Sequence, residues 1–260
     1  MSRFDSVAGE FERHRALPDG VAEEIREMVW AQIGSPNRIV LDLGAGTGRL
    51  GRAFVNAGDR YVGVDRSGEM LERFKHDSKQ ATRSFPSLIQ ADGSRLPFRD
   101  DAFGIVFIAH VLSASGDAQH LLAEACRVLD AEGVLILGQR VGPANGIDAQ
   151  LREQLRNILA EMDVEMPAPG KAKNDARAWL TGVAKSQEHM MAASWMSDNE
   201  PREFFTRHGT GARFSALDAE VKQNSFRALS EWATGKFGSL DATVIEEYKF
   251  ELDVFRFQRD

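Results

Sequence analysis

The chain holds a single cysteine, Cys126. One thiol excludes an internal disulfide and a zinc site built on several thiolates, and it suits a reducing, cytoplasmic setting. No apolar run reaches the 18 or more residues of a membrane span. The first residues, Met1-Ser2-Arg3-Phe4-Asp5, carry charge and no apolar core, so no signal peptide is expected. An excess of basic residues is missing too. The net charge is −7, which argues against duplex nucleic acid as the main partner. Internal repeats, long low-complexity tracts and clusters of His, Cys, Asp and Glu at metal-ligand spacing are also missing, so no metal is expected. What remains is a 260-residue chain that is 43% hydrophobic, enough for one sizeable core.

One stretch organises that chain. Arg38–Gly51 reads R-I-V-L-D-L-G-A-G-T-G-R-L-G. Ile39-Val40-Leu41 is short and apolar, as a buried parallel strand requires, and Asp42 ends it. Gly44, Gly46 and Gly48 follow as a turn where backbone can approach a ligand, because no Cβ intervenes. A helix over Arg49–Asn56 would aim its free N–H groups at the same place. Strand, glycine turn and helix N-terminus together make a nucleotide cradle.

The next segments repeat the pattern. Val21–Ile33 is a predicted helix with Val21, Ile25, Met28, Val29 and Ile33 on one face, closed by the turn Gly34-Ser35-Pro36-Asn37. Tyr61-Val62-Gly63-Val64 is a second strand, ending in Asp65. A carboxylate there can accept from both ribose hydroxyls of a nucleoside, or cap the helix that starts near Ser67; Ser67 can fill the capping role equally well. Leu88–Ala91 is a third strand before Asp92-Gly93, and Ile105–Ala109 a fourth before His110. Ala118–Leu129 is a helix. Asp130-Ala131-Glu132-Gly133 is a turn into a fifth strand, Val134–Leu137. Alternating strands and helices predict an α/β, doubly wound, mostly parallel sheet, with strand ends and ligands on one edge.

Two cofactor classes compete for the glycine turn. Gly46, Gly48 and Gly51 satisfy G-x-G-x-x-G, and Asp65 stands about 20 residues on, as in dinucleotide sites. Asp42 argues the other way: an acid just before the first glycine would repel a pyrophosphate, and suits a ligand with a cationic amino-acid end. The string Asp42-Leu43-Gly44-Ala45-Gly46-Thr47-Gly48 resembles the D/E-x-G-x-G-x-G signature of class I S-adenosylmethionine-dependent methyltransferases. A second block, Q-A-D-G-S-R-L-P-F-R-D-D-A-F-G-I-V-F from Gln90, is similar to the D-x-x-x-L-P-F-x-D-x-x-F-D-x-V passage of the type 11 branch, typified by ubiquinone and menaquinone biosynthesis. Gly104 stands where that branch usually has Asp.

The resemblance covers Arg38–Gly138 well and the rest loosely. It implies a seven-stranded sheet with an antiparallel last strand, in a single domain over 1–260. Residues 38–138 would be the cofactor-binding core, 143–184 a helical insert covering the substrate, and 187–260 the remaining strands and helices. It implies S-adenosyl-L-methionine as cofactor, held by Asp42, Gly44, Ala45, Gly46, Gly48, Asp65, Arg66, Asp92 and Gly93. Asp42 would support the methionine end, Asp65 the ribose and Asp92 the adenine amine. The expected activity is methyl transfer to a small-molecule acceptor. A nicotinamide-dependent oxidoreductase and a non-catalytic cofactor-binding protein are the alternatives. His110, directly after a strand end, is the candidate general base; the alternative is a packed, hydrogen-bonded histidine.

Beyond Gly138 the alternation stops. Ile147–Met162 is amphipathic, with Ile147, Leu151, Leu155, Ile158, Leu159 and Met162 as its stripe. Glu165–Asp175 reads as a mobile linker before a short helix, Ala176–Ala184, and a strand, Gln187–Met196. Met162, Met166, Met190, Met191, Trp195 and Met196 either line an apolar pocket or fill the core. Pro201 suits the first turn of a helix to about His208, and another runs to Gly235. Glu246–Phe257 alternates apolar and charged residues as a strand does, until Phe255 and Phe257 switch face, which predicts a bulge or burial of both faces.

Overall fold

The structure is a computed structural model that describes residues 17–34, 37–81, 86–112, 117–164, 171–209 and 217–258. The residues before 17, Ser35 and Pro36 of the predicted turn, and Met166 lie outside them. Helix α1 (Val21–Ala31) leads into strand β1 (Val40–Leu43), helix α2 (Gly51–Asn56), β2 (Tyr61–Asp65), α3 (Gly68–Ala81) and β3 (Ser87–Gln90). Then come β4 (Phe103–Ala109), α4 (Ala118–Val128), β5 (Leu129–Val141), α5 (Ile147–Glu161) and α6 (Lys171–Val183). β6 (Ser186–Asn199), α7 (Pro201–Gly209), α8 (Ala219–Phe237) and β7 (Val244–Arg256) complete the chain.

The strands form one seven-stranded sheet in the order β3-β2-β1-β4-β5-β7-β6. β1 pairs in parallel with β2 and β4, β2 with β3, and β4 with β5. The last strand, β7, is antiparallel. The expected α/β sheet is therefore present. Its central strands read Val-Leu or Ile-Val-Phe-Ile with no polar alternation, since helices cover both faces of a parallel sheet.

Contacts divide the chain into two compact units. The first holds Met1–Arg140, Gly170–Ala193 and Phe250–Asp260; the second holds Val141–Pro169 and Ser194–Lys249. In the first, Leu41, Leu43, Val106, Ile108, Leu135 and Leu137 on one sheet face meet Leu121, Leu122 and Ala125 of α4 and Leu180 of α6. Each such leucine, isoleucine or valine, fully buried, contributes about 1.5–3 kcal/mol. In the second, Ile147, Leu151, Leu155, Ile158 and Leu159 of α5 pack with Phe204 of α7 and Leu229 and Ala233 of α8. Helix α5 starts after Gly146, which offers no side-chain cap; the buried Glu246 carboxylate accepts from the Ile147 N–H at 2.7 Å instead. Sequence supplies the apolar stripe, while that cap comes from residues 99 positions away.

Several boundaries differ from the sequence-based expectations. β1 continues through Asp42 to Leu43, and α2 begins at Gly51, after a turn at Arg49 and Leu50. Asp130–Gly133 is part of β5 rather than a turn: pairing jumps from Phe103–Leu129 to Ile105–Val134, so the extra residues bulge from the ladder. Arg38 holds the bulge, pairing with Asp130 and Glu132 while its aliphatic stem lies where a side chain at Gly104 would stand. Lys171–Asp175 are the first turns of α6 rather than linker, consistent with the helix preference of Lys and Ala. In β7, Leu252, Asp253, Val254 and Phe255 are all buried, so both faces of that strand are covered. Met191 and Met196 are 54% and 60% exposed and Met162 lies at the surface, which removes them from any shared apolar pocket. Trp195 is buried and stacks on Tyr248 at 6.1 Å within the second unit.

Candidate functional site

The predicted site residues converge on one edge of the first unit. Parallel pairing brings Asp42 of β1 beside Gly63 of β2 and Phe107 of β4, and Asp65 beside Gln90 of β3. Asp65, Asp92 and His110 therefore follow or end three strands at their carboxyl ends, on either side of the glycine turn.

The turn is tied to β2 from below. Gly44 and Ala45 N–H groups both donate to the Val64 carbonyl, at 2.8 and 3.0 Å. Gly44, Gly46 and Gly48 all have positive φ, at 89°, 55° and 82°. Their surroundings differ. A Cβ on Gly48 would stand 2.3 Å from the Phe74 ring, and one on Gly44 2.4 Å from Val111. A Cβ on Gly46 would meet nothing nearer than 3.9 Å. Gly44 and Gly48 are therefore closed by protein, and Gly46 faces open space among the described residues.

Asp65 sits beside that opening, half-buried. One carboxylate oxygen accepts from the Gly46 N–H at 3.0 Å and the other from the Ser67 N–H at 2.9 Å. Ser67 in turn accepts from the Met70 N–H and caps α3, so the capping role falls to the serine and Asp65 organises the turn. Burial pushes the Asp65 carboxyl up from its ordinary value, while these backbone donors pull it down. Arg66 is exposed, and its charge favours the ionised forms of both Asp65 and Asp92.

Asp92 is exposed and accepts from the Ser94 N–H and hydroxyl at 3.0 and 2.8 Å, which holds its carboxyl below the usual range. Gly93 is packed close: a Cβ there would lie 3.1 Å from Leu121 and 3.2 Å from Leu43. The L-P-F segment that follows has its own clamp. Arg127 donates to the Leu96 and Phe98 carbonyls, at 3.2 and 2.9 Å, and pairs with Glu124 and Asp100. The L-P-F segment is thus held in place mainly as architecture.

Asp42 differs from the expectation that it ends its strand: it is the third of four residues in β1 and only 4% exposed. The Tyr61 hydroxyl donates to its Oδ2 at 2.7 Å. Burial pushes the Asp42 carboxyl up to about 7, with the nearby Asp65 charge adding to the shift and the Tyr61 hydrogen bond opposing it. The sequence places Tyr61 only as the first residue of a strand; its bond to Asp42, 19 positions away, depends on the β1–β2 pairing. His110 follows β4 with φ 63°, exposed, its ring edge-on to Phe250 at 6.1 Å. Its neighbour Val111 packs under Gly44. Among the described residues, no group of three or more His, Cys, Asp or Glu is arranged to hold a metal ion, and no helix is long and apolar enough to cross a membrane.

Residues 41–137 match the type 11 family described as a methyltransferase domain. An uncharacterized methyltransferase of Mycobacterium leprae is 28% identical over 192 residues, covering 70% of this chain and 68% of the relative. A demethylmenaquinone methyltransferase of Thermobifida fusca is 32% identical over 136 residues, covering 52% of this chain and 58% of its own. The crystal structure of the YcgJ protein of Bacillus subtilis shares the fold, with a TM-score of 0.57 at 18% identity, covering 91% of this chain and 99% of that one.

Proposed function

We propose that this chain, a member of the type 11 branch of the class I S-adenosylmethionine-dependent methyltransferases, binds S-adenosyl-L-methionine at the carboxyl edge of β1, β2, β3 and β4 and methylates a small-molecule acceptor. The observation that carries the cofactor assignment is the space above Gly46, open among the described residues, beside the Asp65 carboxylate. Backbone without a Cβ and a fixed acceptor for ribose hydroxyls are what a nucleoside needs. The acid beneath the turn, Asp42, matches a cationic amino-acid end and opposes a pyrophosphate.

Each residue then has a task. Gly44, Ala45, Gly46 and Gly48 shape the turn, and Asp42 supports the methionine end. Asp65 accepts from the ribose, with the Ser67 and Gly46 N–H groups and, more weakly, the Arg66 charge favouring its ionised form. Asp92 and Gly93 serve the adenine. Bound there, the cofactor supplies an electrophilic methyl group on a sulfonium. The chain has only to align the acceptor and exclude water, and alignment alone is worth about 7–11 kcal/mol of a barrier. His110 takes a proton at a ring nitrogen where the acceptor atom is a hydroxyl oxygen. The chain acts as a single methyltransferase domain, with 38–138 as its cofactor core and 143–184 as the segment that selects the acceptor. The lone cysteine fits a cytoplasmic setting.

Calorimetric titration with S-adenosylhomocysteine, run beside NADH, tests the assignment. One-site micromolar binding of S-adenosylhomocysteine alone is the expected result. Binding of NADH alone, or of neither ligand, overturns it.

A further inference from the structure

Tyr61 opens β2, beside Val40 of β1. Its ring is held between Phe54, stacked at 5.9 Å, and Phe74, edge-on at 6.0 Å. It runs along its own strand, because a Cβ on Gly63, two residues on, would stand 3.1 Å from its hydroxyl and 3.0 Å from the Ala45 methyl. A Cβ on Gly51 of α2 would come within 2.3 Å of the same hydroxyl. Two glycines thus clear a channel through which one phenol reaches one carboxylate, Oδ2 of Asp42, at 2.7 Å. The ring is 6% exposed. Packing alone would be served by phenylalanine, which places no hydroxyl in the core; a buried hydroxyl is kept where it has a partner.

We propose that Tyr61 is a positioning residue for the cofactor: its hydroxyl fixes the Asp42 carboxylate beneath the glycine turn, and so sets how tightly the cationic amino end of the ligand is held. This rests on the proposed cofactor reading and deepens it. Among the described residues, the groups that act on the Asp42 charge are the neutral Tyr61 hydroxyl, by its hydrogen bond, and the Asp65 carboxylate, by its charge, both on β2. Asp65 opposes ionisation of Asp42; the Tyr61 hydroxyl is the group that favours it. Because burial brings Asp42 to titrate near neutrality, removing that one donor moves its midpoint upward, away from physiological pH.

The test is Tyr61→Phe, with binding measured from pH 6 to pH 9 for two probes. S-adenosylhomocysteine carries the amino-acid end; 5′-methylthioadenosine lacks it. For S-adenosylhomocysteine, the variant is expected to bind about fivefold more weakly at pH 7, nearly tenfold at pH 6, and to converge on wild type by about pH 9, a rise of about one unit in midpoint. Methylthioadenosine is expected to bind both proteins equally, which also shows that the variant folds. Asp42→Asn is expected to abolish the pH dependence, and adding Tyr61→Phe to it to cost nothing further. Parallel pH curves for wild type and Tyr61→Phe, or an equal loss for both probes, overturn the positioning role. Failure of wild type to bind S-adenosylhomocysteine at any pH overturns the cofactor reading itself.

Discussion

Replacing Gly46 and Gly48 by alanine, one at a time, is expected to separate ligand binding from folding. Both residues have positive φ, at 55° and 82°. An alanine held in that region costs about 1–2 kcal/mol. Gly48→Ala pays a second cost, since its methyl would stand 2.3–2.5 Å from three atoms of the Phe74 ring, which is fully buried. Overpacking of this kind costs about 1–3 kcal/mol. The sum, about 2–5 kcal/mol, is a large part of the roughly 5–15 kcal/mol that holds a domain folded. Gly46→Ala pays only the first cost, because its methyl meets nothing nearer than 3.9 Å. That methyl stands where the cofactor is proposed to lie against the backbone. A clash of about 1–3 kcal/mol there weakens binding by roughly 5- to 150-fold. Urea unfolding and calorimetry with S-adenosylhomocysteine read the two effects apart. Gly48→Ala should lower the urea midpoint well below that of Gly46→Ala, while Gly46→Ala loses affinity with a modest stability change. Wild-type affinity in Gly46→Ala, or equal midpoints for the two variants, would refute the reasoning.

Three more outcomes follow from the site. Asp65→Ala removes the acceptor held by the Gly46 and Ser67 N–H groups and proposed for the ribose. S-adenosylhomocysteine affinity is expected to fall at least about tenfold, since bonds to a charged acceptor are worth about 1.5–3 kcal/mol each; unchanged affinity rejects the assignment. Asp42 holds its proton more tightly folded than unfolded, so the native state binds more protons between about pH 4 and pH 7. Stability contributed by this group is therefore lost as pH rises through that window and is level above it. Asp42→Asn should remove up to about 4 kcal/mol of that decline in a pH series of urea midpoints; an identical slope in wild type and variant counts against a raised Asp42. Arg127→Met frees the Leu96 and Phe98 carbonyls and should cost about 1–2 kcal/mol, discounted because the guanidinium is partly exposed. Lysine should not restore it, lacking the planar fork, and an unshifted urea midpoint would show that the clamp is idle.

The first half of the chain was legible because its signals are local. A short apolar strand, a glycine turn and an acid at the next strand end recur along the sequence, and parallel pairing follows from their alternation. The α5 stripe was readable for the same reason, as was the doubled burial at the end of β7. What sequence left out depends on residues far apart in the chain. The Asp130–Gly133 bulge looks like a turn until Arg38 is seen reaching it from β1's approach. Asp42 reads as a strand terminator until the Tyr61 hydroxyl allows a carboxylate to stay inside the strand. Gly46 and Gly48 look alike in the motif; only Phe74, from α3, distinguishes them.

The left-handed backbone at His110 governs how any catalytic claim about that residue can be tried. An alanine exchange there would delete the imidazole and also install a residue poorly suited to φ 63°, so a slowed turnover would mix lost chemistry with a distorted loop. About 1 kcal/mol of distortion alone imitates a roughly fivefold effect. Asparagine adopts this conformation readily and carries no titrating ring, which makes it the fair replacement, with glycine as the control for the backbone alone. The same constraint narrows what drift can place at position 110. Valine, isoleucine and threonine are disfavoured there by their branched Cβ, so the backbone itself keeps this position open to small polar residues and histidine.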